Sequence, residues 1–114
     1  MIRKKNEYTT EYRPCGGGTV DFELRRRYSK SEMFDRAVFF GEIIIEPDAI
    51  IPLHIHRDNV DVFYVLEGEL VSVTEDGAEE AFEQGDYMVT GGGASHCVRN
   101  DSKERAVIMV MTMS

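Results

Sequence analysis

At 114 residues the chain can build one core but not two, burying about 65% of its unfolded surface. Its composition is globular, 42% hydrophobic and 30% charged, and thirteen basic against twenty-one acidic residues give a net charge of −8. That balance argues against a nucleic-acid or anionic-membrane partner, since either needs a basic face.

The opening Met1-Ile2-Arg3-Lys4-Lys5-Asn6-Glu7 is charged and no apolar stretch follows it, so no signal peptide is expected. Ile43-Ile44-Ile45 and Val107 to Met111 are too short to cross a bilayer. A cytoplasmic location is the expectation, with Cys15 and Cys97 as free thiols. Residues 1–36 read as an irregular N-terminal arm, with a flexible Gly16-Gly17-Gly18 and a short apolar piece from Val20 to Leu24. The basic cluster Arg25-Arg26-Arg27 reads as a solvated edge or a contact for a ligand anion. Ser29-Lys30-Ser31-Glu32 has capping-box spacing and predicts one brief helical turn ending before Arg36.

From residue 37 the pattern is of strands: Ala37 to Ile45, Leu53 to Arg57, Asp61 to Leu66 and Leu70 to Thr74. Asp76-Gly77 is a two-residue hairpin signal, followed by Ala78 to Glu83, Tyr87 to Thr90, His96 to Asn100 and Ala106 to Thr112. Short strands at close spacing predict an all-β, antiparallel sandwich or barrel over residues 37–114, within a single domain spanning 1–114. Glu42, in an apolar strand, is expected on a solvated face or as a polar contact lining a pocket.

All three histidines fall in two segments. In the first, His54-Ile55-His56 is followed by Asp61 and Gly68; in the second, Gly85 and Gly91-Gly92-Gly93 precede His96 and Asn100. Strand alternation gives His54 and His56 one face, and Asp61, Phe63 and Val65 another shared face. His96 opens a later strand after a glycine corner that allows a close backbone approach. If these faces line the interior, His54, His56, Asp61 and His96 converge as ligands for one divalent transition metal, with Phe63, Val65 and Val98 as walls. A lone strand histidine is usually a satisfied packing residue, but two motifs that use every histidine make a much stronger signal. Cys97, next to His96, should face away from it, which removes a Cys–His nucleophile. Tyr64 and Tyr87 read as packing residues before ligand contacts, and the methionines as core filler.

These segments resemble the two motifs of the cupins. The first family motif runs glycine, five residues, His-x-His, three or four residues, glutamate, six residues, glycine. The second runs glycine, five residues, proline, any residue, glycine, two residues, histidine, three residues, asparagine. His54, His56 and Gly68 match the first, and Gly85, Gly93, His96 and Asn100 the second; Val62 to Glu69 is also typical of the first. Asp48 replaces the first glycine, Gly91 the proline and Asp61 the glutamate. The resemblance implies a small single-domain cupin, an antiparallel β-barrel of the jelly-roll or double-stranded β-helix type. It also implies a small-molecule site at the barrel mouth, one bound metal ion (iron, manganese, nickel, zinc or copper) and a homodimer.

The leading functional reading is a metal-dependent enzyme, dioxygenase-like or decarboxylase-like, acting on a small oxygenated or carboxylate-bearing metabolite. Asp61 would be its fourth ligand or its acid–base group. The alternatives are a non-catalytic cupin that binds a small molecule (a sugar, an organic acid or the metal itself) or acts as a sensor, a sugar isomerase or epimerase, and a purely structural barrel that keeps the motif as a fold signature.

Overall fold

The structure, a computed structural model, describes residues 1–55 and 58–114, and for residues 53–55 the backbone alone. Ten strands lie among the described residues. They are β1 (Thr9–Pro14), β2 (Asp21–Arg26), β3 (Ala37–Ile45), β4 (Ile50–Ile55), β5 (Val60–Glu67), β6 (Glu69–Thr74), β7 (Glu79–Glu83), β8 (Tyr87–Thr90), β9 (Ser95–Arg99) and β10 (Ala106–Met113). Every pairing is antiparallel. One sheet has the order β1-β2-β3-β10-β5-β8 and the other β4-β9-β6-β7, a two-sheet jelly-roll arrangement.

Alternation explains how the sheets face each other. In β5 the residues Asp61, Phe63 and Val65 are buried while Val62, Tyr64 and Leu66 turn to the other face. Ile108 and Val110 of β10 meet Phe63 and Val65 from the same sheet, and Ile51, Leu70 and Val98 close the core from the opposite one. Asn100, fully buried just after β9, ties the ends of the layers together. Its Nδ2 donates to the carbonyls of Ile45 and Glu104, each at 2.9 Å, and its Oδ1 accepts from the amide and hydroxyl of Ser102 at 3.0 and 2.8 Å. Asp48 makes the corner between β3 and β4 with φ 67°, the left-handed geometry that Asp tolerates better than most residues.

The N-terminal region differs from the expected irregular arm. Residues 9–14 and 21–26 are strands that extend the six-stranded sheet. Phe22 and Leu24 alternate inward, at 5% and 1% exposure, while Glu23 and Arg25 pair with each other at 2.7 Å on the other face. Polar residues on both faces of this hairpin conceal its period. Gly41 of β3 lets β2 approach, because a Cβ there would stand 2.0 Å from the Arg25 carbonyl oxygen.

Ser29 and Glu32 do form the capping box. The Glu32 amide donates to Ser29 Oγ at 3.2 Å and the Ser29 amide to Glu32 Oε1 at 2.9 Å. The Met33 amide then bonds back to the Ser29 carbonyl, but Phe34 and Asp35 adopt φ 54° and 58°. The segment is therefore a hydrogen-bonded turn and not a helix. At the hairpin between β6 and β7 the Thr74 amide bonds the Ala78 carbonyl and Gly77 has φ 85°, which makes a three-residue loop where two were expected.

Glu42 is not on a solvated face but is buried in an ion pair. It is 8% exposed and held by Arg27, whose Nε donates to both carboxylate oxygens at 2.8 and 3.0 Å. The same guanidinium donates through Nη1 to the carbonyls of Lys4, Lys5 and Glu7, so it also fastens the N-terminal segment over β3. The basic cluster is thus consumed by carboxylates: Arg25 by Glu23, Arg26 by Glu11, Arg27 by Glu42. Arg27→Met strands a buried carboxylate and should cost about 3–5 kcal/mol in urea denaturation, whereas Arg27→Met with Glu42→Leu should cost far less. Equal costs for the single and double variants would show that the stranded carboxylate is not the source of the loss.

Candidate metal and ligand site

His96, in β9, is 3% exposed. Its Nδ1 lies 3.0 Å from Thr90 Oγ1 of β8, and its ring tilts against Phe63 with centroids 5.5 Å apart. Asp61, in β5, is 7% exposed and accepts a hydrogen bond from Thr112 Oγ1 of β10 at 2.6 Å. The register of the sheet pairs Asp61 with Thr90 on one side and with Thr112 on the other. One threonine thus steadies the carboxylate and the other the imidazole. Both come from strands adjacent to β5 in the six-stranded sheet.

His54 belongs to β4, and the pairing of β4 with β9 places its Cα opposite that of His96. The side chain of His54, and His56 altogether, lie outside the described residues. Among the described residues no three of His, Cys, Asp and Glu gather in one metal-holding group. The donors that are described suit a divalent transition ion. A buried imidazole engaged through Nδ1 would hold an ion through Nε2, with a buried carboxylate one strand away from its threonine anchor. Gly92 and Gly93 before His96 take φ 64° and 85°, the backbone turn that the triple-glycine corner anticipates.

A cavity of about 320 Å³ opens inside the six-stranded sheet, and Asp61 and Thr112 lie in its wall. That is near the lower end of the range of small-molecule sites, roughly 300–1,000 Å³. Phe63, Phe39, Ile43, Ile51 and Val110 make the apolar lining. Val65 and Val98, expected as walls, are instead fully buried in the core cluster.

Two further polar residues reach the cavity, Arg13 at the end of β1 and Cys15 just after it. The loop between β1 and β2 crosses toward the second sheet, where a Cβ at Gly18 would meet Pro52 Cγ at 3.0 Å. Cys15, which the sequence left in a flexible segment with no role, packs against the core. Burial pushes its thiol above the ordinary value of 9.0; Arg13 works against that rise and Asp61 adds to it. Arg13, Cys15, Thr90 and Thr112 belong to no motif. The alternation of Glu11 and Arg13 in β1 and of Val110 and Thr112 in β10 could have pointed to Arg13 and Thr112, but nothing local marks Cys15 or Thr90.

Cys97 and His96 diverge as strand parity requires: His96 is buried, while Cys97 is partly exposed with its thiol also raised by burial. Tyr64 and Tyr87 lean on one another with centroids 4.5 Å apart, away from the cavity.

The family model for the cupin domain matches residues 41–112, and the chain belongs to that family. The chain is 28% identical to an oxalate-binding protein of Thermotoga maritima, an alignment covering 97% of this chain and 95% of that protein. A crystal structure from Thermotoga maritima, described as a predicted oxalate decarboxylase, superposes with a TM-score of 0.88 at 25% identity, covering 99% of this chain and 98% of that one. A sugar phosphate isomerase of the cupin superfamily from Silicibacter pomeroyi shares the fold alone. Its TM-score is 0.67 at 21% identity, over 82% of this chain and 59% of that one.

The raised thiol of Cys15 has a direct consequence. Its nucleophilic thiolate is scarcer in the folded protein than in the unfolded chain, and this difference holds from neutral pH up through the ordinary thiol value of 9.0. Alkylation of Cys15 by iodoacetamide at pH 8, followed by peptide mass spectrometry, should be slower in the native protein than in urea. Asp61→Asn removes one of the raising influences and should shift the native pH–rate curve toward lower pH. An unchanged curve would separate Asp61 from the Cys15 environment.

Proposed function

We propose that this cupin uses a bound divalent transition metal to hold a small carboxylate of the oxalate class inside the barrel. The observation that carries the reading is the buried Asp61–Thr112 pair in the wall of an apolar cavity, with the His96–Thr90 pair behind Phe63 of that wall. The relationship to the oxalate-binding protein across nearly the whole chain supports the choice of ligand class. His54, His56 and His96 would hold the metal, with Asp61 as a fourth ligand or as a proton-carrying group. When bound, the ion supplies Lewis acidity toward carboxylate oxygens and, if redox-active, electron-transfer chemistry.

The protein's own residues do the rest. Thr90 orients the imidazole, Thr112 fixes the Asp61 carboxylate, and the apolar wall of Phe39, Ile43 and Phe63 excludes water and strengthens the polar contacts it surrounds. A second reading adds turnover at the same site: cleavage of the oxalate C–C bond with uptake of one proton, giving formate and carbon dioxide. Asp61 favours it as the one buried carboxylate in the cavity wall among the described residues. The setting we propose is cytoplasmic.

Metal content by plasma mass spectrometry and oxalate titration by calorimetry, on protein never exposed to chelating resin, test this reading. Near-stoichiometric metal and saturable oxalate binding are expected, both abolished by His96→Ala. Thr90→Val should weaken metal binding about 10–100-fold, the usual effect of losing an orienting partner. Oxalate recovered unchanged after long incubation would leave a binding protein. Formate would establish decarboxylation, and oxygen consumption an oxygen-dependent oxidation, with labelled oxygen in the product required of a dioxygenase. Metal-loaded protein with no affinity for oxalate or other small carboxylates would sink the proposal.

We also propose, from the family resemblance and not from the metal site, that the chain pairs as a homodimer through the outer face of the six-stranded sheet. There Phe40, Met111, Val62 and Val89 form one cross-strand row and Met109, Tyr64 and Tyr87 the next, with Val89 67% and Tyr87 72% exposed. Light scattering at micromolar concentration should give twice 13.0 kDa, and Tyr87→Glu with Val89→Glu should return the monomer mass. A wild-type monomer would refute it.

A further inference from the structure

A dianionic ligand entering this cavity faces two electrostatic obstacles. The chain carries a net charge of −8, and the cavity wall already holds the Asp61 carboxylate. Metal charge offsets part of this, but an apolar lining makes any unneutralised negative charge costly. Among the described residues that line the cavity, Arg13 is the one cation.

Its placement follows from β1. Arg13 pairs in register with Phe22, a buried residue of β2, so its backbone stands in the inward row of the hairpin, while its side chain, 46% exposed, lies at the open rim of the cavity. Its guanidinium carbon lies 5.6 Å from the centroid of the Phe39 ring, one of the cavity-lining side chains. Its ionic contact within the hairpin is the weaker of two to the same carboxylate. Arg13 Nε reaches Glu11 Oε1 at 3.4 Å, whereas Arg26 Nε donates to Glu11 Oε2 at 2.7 Å. Glu11 thus belongs chiefly to Arg26, which leaves the planar fork of Arg13 to match a carboxylate from the ligand.

We propose that Arg13, carried to the cavity by the N-terminal hairpin, is the specificity residue that binds a carboxylate group of the ligand and selects dianions over neutral analogues. The inference rests on the carboxylate-binding reading above and deepens it. It gives the hairpin of β1 and β2, which lies wholly outside the motif segments, a part in recognition.

The test titrates the metal-loaded protein with oxalate and with its neutral diamide, oxamide, for wild type, Arg13→Gln and Arg13→Lys, with metal content measured on each. Arg13→Gln should keep its metal and lose oxalate affinity by tenfold or more. Arg13→Lys should recover part of the loss, and oxamide binding should be the same in all three proteins. Oxalate affinity unchanged in Arg13→Gln overturns this inference and leaves the carboxylate-binding reading standing. Equal losses for oxalate and oxamide also overturn it, since they report damage to the cavity and not to charge recognition. A wild-type protein that carries metal but binds no small carboxylate removes both.

Discussion

Strand β10 is hydrogen-bonded along its length to β3 on one edge and β5 on the other, and the position of the site depends on that double register. Strand side chains have a period of two, so a one-residue slip of β10 would send Ile108 and Val110 to the outer face. It would also carry Thr112 away from Asp61, whose only described anchoring hydroxyl it is. Packing and site are therefore specified together. The apolar residues that make the register costly to change are in the same strand as the hydroxyl that holds the carboxylate. On the other edge of β5 the pairing with β8 does the same for Thr90 and His96.

The acidic surplus is distributed with equal economy. Arginines 25, 26 and 27 are each matched to a carboxylate, and Arg27 in addition gathers the backbone of residues 4–7. These pairs close the outer end of the six-stranded sheet and bring β1 into place. Arg13 at the end of β1 is the exception, since its carboxylate neighbour is held more closely by Arg26.

How much of this was legible in the sequence depends on what each element buries. Strands β3 and β8 were readable to the residue, because β-branched and aromatic side chains fill them and turn residues bound them. Strands β1 and β2 were not, since Glu11, Arg13 and Arg26 occupy the inward row and are accommodated by ion pairing and ring contacts instead of apolar burial. Glu42 misled for the same reason: its partner, Arg27, lies fifteen positions earlier, beyond any local pattern. The motif spacing marked Asp61 and His96, but it does not reach Thr90, Thr112 or Cys15. Hydroxyl and thiol partners are recruited by tertiary register, and their identity becomes visible only when the strands are paired.

Asp61 stands where the family motif has glutamate, and its setting bears on what the site can do. The side chain is one methylene shorter, and Thr112 holds it against the wall of the barrel at 2.6 Å. A short carboxylate fixed in this way has a defined position and little reach. That suits a ligand or metal held in one geometry more than a group that must swing between partners. Proton delivery to a ligand carbon would require the ligand to come to Asp61, and so would place the demand for precision on the other charged group of the cavity wall, Arg13. Binding and any turnover would then share one requirement: the ligand must be drawn toward the β5 wall and held from the hairpin. A cavity of about 320 Å³ has room for any small metabolite, so the choice between a two-carbon dicarboxylate and a sugar phosphate would fall to the charged groups of its wall, Arg13 and Asp61.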